Sequence, residues 1–233
     1  MMRTGLLWVG VATVIIVTGG CSKTEGTKSS AGQPAARAGA VGTGGAGANV
    51  KNDADFVRDV ATMNMAEVDL SRMALDKAAG PDVKTFAQMM IDDHGAAGEQ
   101  LKSILSGQQW PGQLDDKHKK TADELAKEQG GNFDHEYVKA MVEGHQNLAA
   151  LLESRLDIQS VAEWKTAAAG RTQSKALPHP NAEMADVKVR PNKSESDSGT
   201  KINQWAADTY PIVQKHLDTA RDLENATKKR STN

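Results

Sequence analysis

NDADFVRDVATMNMAEVDLSRMALDKAAGPDVKTFAQMMIDDHGAAGEQLKSI, residues Asn52–Ile104, decides the fold. Phe56, Val60, Met63, Glu67, Leu70 and Ala74 recur at steps of 4, 3, 4, 3 and 4, which is one stripe of an α-helix. Asn52 precedes the stripe as a capping residue, with Asp55 in the first turn. Gly80-Pro81 then punctuates the chain, with Gly closing one helix and Pro opening the next. A second stripe follows at Val83, Phe86, Met90, His94, Ala97, Leu101 and Ile104. Two amphipathic helices joined by so short a turn must pack antiparallel.

The same period recurs downstream. Asn132 is read as the cap of a third long helix carrying Phe133, Tyr137, Met141, His145, Leu148 and Leu152. A fourth carries Ile202, Trp205, Thr209, Ile212, His216, Ala220 (or Thr219) and Leu223. The polar stretch from Asp115 to Gln129 predicts a short, mostly exposed helix, and Val161–Ala169 another short one. Between Gly170 and Thr200 lie Pro178, Pro180 and Pro191 and a Ser-rich end, read as a crossover connection or an excursion. No alternating strand pattern occurs. The expectation is an all-α four-helix bundle over residues 52–228, with a short extra helix between its second and third helices. A long insertion, about residues 159–199, precedes the fourth.

Composition narrows the classes further. Lys plus Arg is 28 and Asp plus Glu is 30, a net charge of −2, which gives no field for gripping nucleic acid. One Cys allows neither an internal disulfide nor a multi-cysteine metal cluster. Aromatics at 4% argue against a β-sandwich or barrel.

The first fifty residues are not fold. Arg3, the apolar run Leu6–Val17 and the small residues Thr18, Gly19 and Gly20 read as an export signal over residues 1–20, too short to span a membrane. Cys21 follows at once, and the arrangement resembles a bacterial lipoprotein signal, which implies acylation of Cys21. Ser22 after it would favour the outer membrane, so the expected location is the cell envelope, facing the periplasm. Residues 21–51, rich in Gly, Ala and Ser, read as a flexible tether.

Each apolar seam carries one polar exception near its middle: Glu67, His94, His145 and His216. Glu67 lies 13 residues before Gly80 and His94 lies 13 after Pro81, so in an antiparallel hairpin both stand about 20 Å from the bend. His145 is 13 residues beyond Asn132, and His216 is again mid-helix. Four inward side chains at one height can meet. Three imidazoles and a carboxylate are an ordinary ligand set for one transition-metal ion such as Zn, Fe or Cu. Asp93 at the stripe edge and Tyr137 on the third seam are candidates for orienting the imidazoles. Pro211 is expected to free the carbonyl of Ala207 and kink the fourth helix one turn before His216. Met63, Met90 and Met141 also face the core, where they fill gaps or serve a soft metal. His118, His135 and His179 fall off the stripes and read as solvated surface residues.

Asp55-Phe56-Val57, Met65-Ala66-Glu67, Met90-Ile91-Asp92-Asp93-His94, Phe133 to Tyr137 with Met141 to His145, and Tyr210 to Leu217 together resemble the DUF4142 family. That resemblance implies an exported bacterial protein with a ferritin-like four-helix domain and no known activity. It covers roughly Asp53 to Asn225, without the segment from about Gln159 to Gly199. The family's recurring Glu, Asp-His, His and His fall on Glu67, Asp93-His94, His145 and His216.

Di-iron bundles place Glu-x-x-His on two helices. Here Ile91, Val142 and Val213 stand three residues before the histidines, so one metal at most is expected. Three functional readings stay open at this point. One is an envelope lipoprotein whose bundle binds a single metal ion, as a binding or stress-related module. Another is a mononuclear metalloenzyme. The third is a structural module with a metal-free polar network that meets an envelope partner. No Ser-His-Asp grouping, phosphate-binding Gly loop or Cys nucleophile points elsewhere.

Overall fold

The structure is a computed structural model in which residues 52–105, 110–169 and 187–231 are described. The export signal, Cys21, the tether and His179 lie outside the described residues. Six helices form: α1 (Asp53–Lys77), α2 (Pro81–Ile104), α3 (Asp116–Leu125), α4 (Gly130–Glu153), α5 (Ile158–Ala169) and α6 (Asp197–Ser231). Among the described residues there is no strand, only the isolated bridges Ala78–Gly130 and Leu156–Pro191. No described helix is long and apolar enough to cross a membrane.

The four long helices stand in the order α1, α2, α6, α4 around the core, each packed on its two neighbours. Side-chain pairs give the directions. Asn64 of α1 meets His94 of α2. Asp53 at the start of α1 meets Arg155 just past α4, while Ala78 after α1 bridges Gly130 at the start of α4. Asp93 meets His216, and Ala97 meets Trp205 one turn along. Glu153 meets Tyr210, and His135 meets Thr227. Every neighbouring pair is therefore antiparallel, and α2 and α4 run parallel across a diagonal.

That diagonal corrects the expected place of the crossover. The link from α2 to α4, residues 105–129, must travel back along the bundle, and it carries α3. The α4–α6 link leaves and returns at the same end. Within it α5 begins at Ile158, three residues before the expected Val161, and α6 then starts at Asp197. Its return is clipped to the end of α4 by Asp157 N to Arg190 O and Asn192 N to Arg155 O, both 2.8 Å. One long crossover is the connectivity of ferritin-like bundles.

Local chemistry sets the helix ends. Asn52 Oδ1 accepts the Asp55 N–H at 2.9 Å, as the sequence predicts. α1 stops at Lys77, three residues before the expected Gly80. The turn Ala78–Gly80 is stapled by Asp134, whose carboxylate accepts the N–H groups of Ala79 at 2.9 Å and Gly80 at 2.8 Å. Asn132 does not cap α4. The helix starts two residues earlier at Gly130, whose φ of +57° favours glycine, and Asn132 is exposed in its first turn.

Other expectations shift by small amounts. His118 is half-buried, and its backbone and ring nitrogens both donate to the capping Asp115. His135 is also half-buried and pairs with Thr227. Ile212 does not line the fourth seam: it is 46% exposed, and Val213 takes the buried place. One-residue offsets of this kind follow from reading a 3.6-residue period at steps of 3 and 4. α6 continues through Pro211 as one helix.

The core falls into two apolar clusters. One holds Phe56, Val60, Leu101, Leu148, Leu152, Trp205, Tyr210 and Val213. The other holds Leu70, Phe86, Met90, Phe133, Tyr137, Met141 and Ala220. Glu67, His94, His145 and His216 lie between these two sets on their respective helices and are all buried.

Candidate metal centre

The sequence-predicted four converge, each from a different long helix. His94 Nε2 and His145 Nε2 are 3.2 Å apart. The His216 ring centroid is 5.4 Å from that of His94 and 5.5 Å from that of His145. One nitrogen from each of the three rings lies within 4.8 Å of the others.

The outer face of each ring is held by an acceptor. His145 Nδ1 donates to the Met141 carbonyl at 2.9 Å, a bond across one helical turn. His94 Nδ1 faces Asn64 Oδ1 at 3.1 Å, and Asn64 is itself aimed by donating its amide to the His94 carbonyl at 2.7 Å. His216 Nε2 donates to Asp93 Oδ2 at 2.9 Å. These acceptors place a proton on Nδ1 of His94 and His145 and on Nε2 of His216. In the neutral rings the remaining atoms, Nε2 of His94, Nε2 of His145 and Nδ1 of His216, carry lone pairs. His216 Nδ1 is buried with no hydrogen-bond partner among the described residues.

Glu67 joins this layer from behind. Its oxygens lie 3.1 Å from His94 Nδ1 and 3.2 Å from His145 Nδ1, on the sides of the rings that face away from the Nε2 pair. Neither oxygen accepts a well-directed hydrogen bond among the described residues. Asp93 does orient an imidazole, as the sequence predicts. Tyr137 does not: its hydroxyl pairs with Ser71 at 2.8 Å, and its ring stacks on Phe133. Met90 and Met141 pack in the apolar cluster, and Met63 is half-buried. Asn64 was not legible as a site residue, since its position off the apolar seam gives no period signal.

Charge and burial compete in this layer. Burial alone would push the Glu67 carboxyl up, but the charges of His145 and His94 outweigh it and bring it down to about 2. Desolvation pushes His94 down to about 4 against the pull of Glu67. Burial lowers His216 as well, with the Asp93 bond opposing. For His145 burial is overcome by Glu67 and the Met141 carbonyl, so its imidazole is raised. The bond from His216 holds Asp93 below the usual carboxylate range.

A pH prediction follows for the metal-free protein. Unfolded His94 takes up a proton near pH 6.5, while folded His94 resists protonation until about pH 4. The unfolded state therefore binds more protons in this window, and stability falls as pH falls, by about 3 kcal/mol from this group. Glu67 works in a lower window, because its contribution is lost only as pH drops from 4.5 toward about 2. Urea unfolding of chelator-treated protein at pH 7 and pH 4.5 checks this. His94→Gln should flatten the dependence.

Gly144 shows how closely Glu67 is housed. A Cβ there would lie 2.6 Å from Glu67 Oε1. Helix propensity favours Gly144→Ala by about 1 kcal/mol, whereas overpacking costs about 1–3 kcal/mol. A net loss of stability in urea titration, with shifted imidazole NMR signals, is the expected result.

A cavity of about 20 Å³, room for one water, adjoins His94, His216, Asp93 and Asn64. A family model described as "Domain of unknown function (DUF4142)" matches residues 38–176, more than half of the chain. The chain belongs to the DUF4142 family. Within this DUF4142 chain, Glu67, Asp93-His94 and His145 fall inside the matched residues, and His216 falls beyond them. No curated protein matches the sequence. Among solved structures, "CopM in the Ag-bound form (by co-crystallization)" is similar at 18% identity, over 75% of this chain and 96% of that one, with a TM-score of 0.45. So distant a likeness carries no argument about the site.

Proposed function

We propose that this chain is an envelope lipoprotein whose bundle core binds one transition-metal ion through His94 Nε2, His145 Nε2 and His216 Nδ1. The observation that carries the reading is the pairing of anchored outer nitrogens with converging inner lone pairs. Two Nε2 atoms 3.2 Å apart repel unless a proton or a metal ion lies between them. That separation is close to the ~3.3 Å edge expected for nitrogen ligands ~2.0–2.1 Å from a tetrahedral ion. Glu67, Asn64, Asp93 and the Met141 carbonyl fix the ring tautomers, as outer partners of metal-binding histidines do. Glu67 thus braces two imidazoles and is not itself a ligand. Zn, Fe and Cu all accept such a donor set.

The anchor at Cys21, the outer-membrane location facing the periplasm and an envelope partner complete the proposal.

Metal analysis after chelator treatment and Zn²⁺ repletion tests the reading. One ion per chain is expected, and near-zero metal would overturn it. The His94–His145 contact also favours a second reading, a metal-free network sharing one proton between the rings. In that case added metal leaves the melting temperature unchanged.

A further inference from the structure

Resting on the metal-binding reading above, we infer that Gly98 is a positioning residue for the centre: having no side chain, it lets Asn64 clamp His94 at two atoms. Gly98 is buried in the interior of α2, one helical turn beyond His94. Glycine there weakens a helix relative to alanine, so its place calls for a local reason. A Cβ at Gly98 would lie 2.8 Å from Asn64 Nδ2, closer than side chains pack. Asn64 Cγ and Trp110 Cζ2 would both stand at an ordinary 3.8 Å. The group that a side chain would displace is therefore the Asn64 amide. Gly95, on the same helix, has nothing within 4 Å of such a Cβ.

The helical repeat explains the juxtaposition. Within α2 the His94 carbonyl accepts the Gly98 N–H, which leaves its oxygen a second lone pair. Asn64 Nδ2 donates to that oxygen at 2.7 Å. A side chain at position 98 would lie across this approach. From the same anchor Asn64 presents Oδ1 to His94 Nδ1 at 3.1 Å. One side chain thus grips both the main chain and the ring of a ligand, and aims His94 Nε2 at His145 Nε2, 3.2 Å away. Glu67 also lies 3.1 Å from His94 Nδ1, without a well-directed bond. Displacing Asn64 would hand the ring's proton to Glu67 and turn Nε2 aside.

The test is a double-mutant cycle on the full chain, carrying Cys21→Ser so that the thiol takes up no zinc. Gly98→Ala and Asn64→Ala are each expected to lower Zn²⁺ affinity by about 10–100-fold, the loss that follows removal of an outer partner of a metal-binding histidine. The double variant should lose no more than Asn64→Ala alone, because Gly98 acts through Asn64. Gly95→Ala should bind as the wild type does. In the metal-free protein, Gly98→Ala should shift the His94 ring ¹⁵N signals and open the Asn64 amide to solvent exchange.

Unchanged affinity in Gly98→Ala overturns the inference, as do losses that multiply in the double variant. If Gly98→Ala fails to fold, the double variant decides, since it is relieved of the crowded amide. Affinity equal to that of Asn64→Ala supports the inference, and weaker binding or failure to fold overturns it. A wild type that takes up no Zn²⁺ sinks the metal-binding reading alone. The clamp is then judged by the His94 and Asn64 signals, and unchanged signals in Gly98→Ala overturn it whatever the wild type binds.

Discussion

His145→Ala is expected to lower Zn²⁺ affinity by at least about a hundredfold and to destabilise the metal-free protein by about 3 kcal/mol. Loss of an outer partner of a metal-binding histidine already costs about 10–100-fold, and loss of a ligand sits at or beyond the top of that range. The stability loss has a separate cause. His145 is fully buried, and its charge is the largest of those offsetting the desolvation of Glu67. Removing it leaves an uncompensated buried carboxylate, worth about 3–5 kcal/mol. His216→Ala separates the two effects. Its Nδ1 makes no hydrogen bond among the described residues, and its Nε2 partner Asp93 is half-exposed. Zn²⁺ affinity should fall by a similar factor, with a stability loss set by the cavity and the lost Asp93 bond and not by a stranded carboxylate. Calorimetric titration and urea unfolding read the two quantities. In the wild type, Zn²⁺ at 100 times its Kd should add about 2.7 kcal/mol, and this gain should vanish in both variants. Unchanged affinity in both would remove the proposed ion.

Asp134→Ala should cost about 3 kcal/mol without touching metal stoichiometry. Its carboxylate is buried and accepts two backbone N–H groups in the turn between α1 and α2. Hydrogen bonds to a charged group contribute about 1.5–3 kcal/mol each, and the alanine variant strands the N–H of buried Gly80. A melting temperature lower by about 6–12 °C is expected. Asp134→Asn retains one acceptor oxygen and should lose roughly half as much. The turn lies about 20 Å from the histidine layer, so one ion per chain should still bind below the melt.

Much of this was legible because helices convert spacing into position. Stripes at steps of 3 and 4 identified the long helices, and equal counts from Gly80-Pro81 placed Glu67 and His94 at one height. Polar residues on apolar seams then marked the layer. Asn64 and Asp134 were not legible, because each acts on a neighbouring helix or turn from outside the seam. Their partners depend on which helices are neighbours. The Pro-rich insertion read as a crossover or an excursion, whereas the link from α2 to α4, residues 105–129, makes the crossover. Periodicity states which face of a helix is buried and says nothing of which helix covers it.

The crossover means that the four contributors, at positions 67, 94, 145 and 216, become neighbours only after the last long helix has docked. A chain cut short before α6, or one with α6 misregistered by a turn, would present two rings and a stranded carboxylate. An ion seated among all three imidazoles would therefore act as a tally of finished molecules, tightening assembly at its final step while ignoring fragments and half-made intermediates.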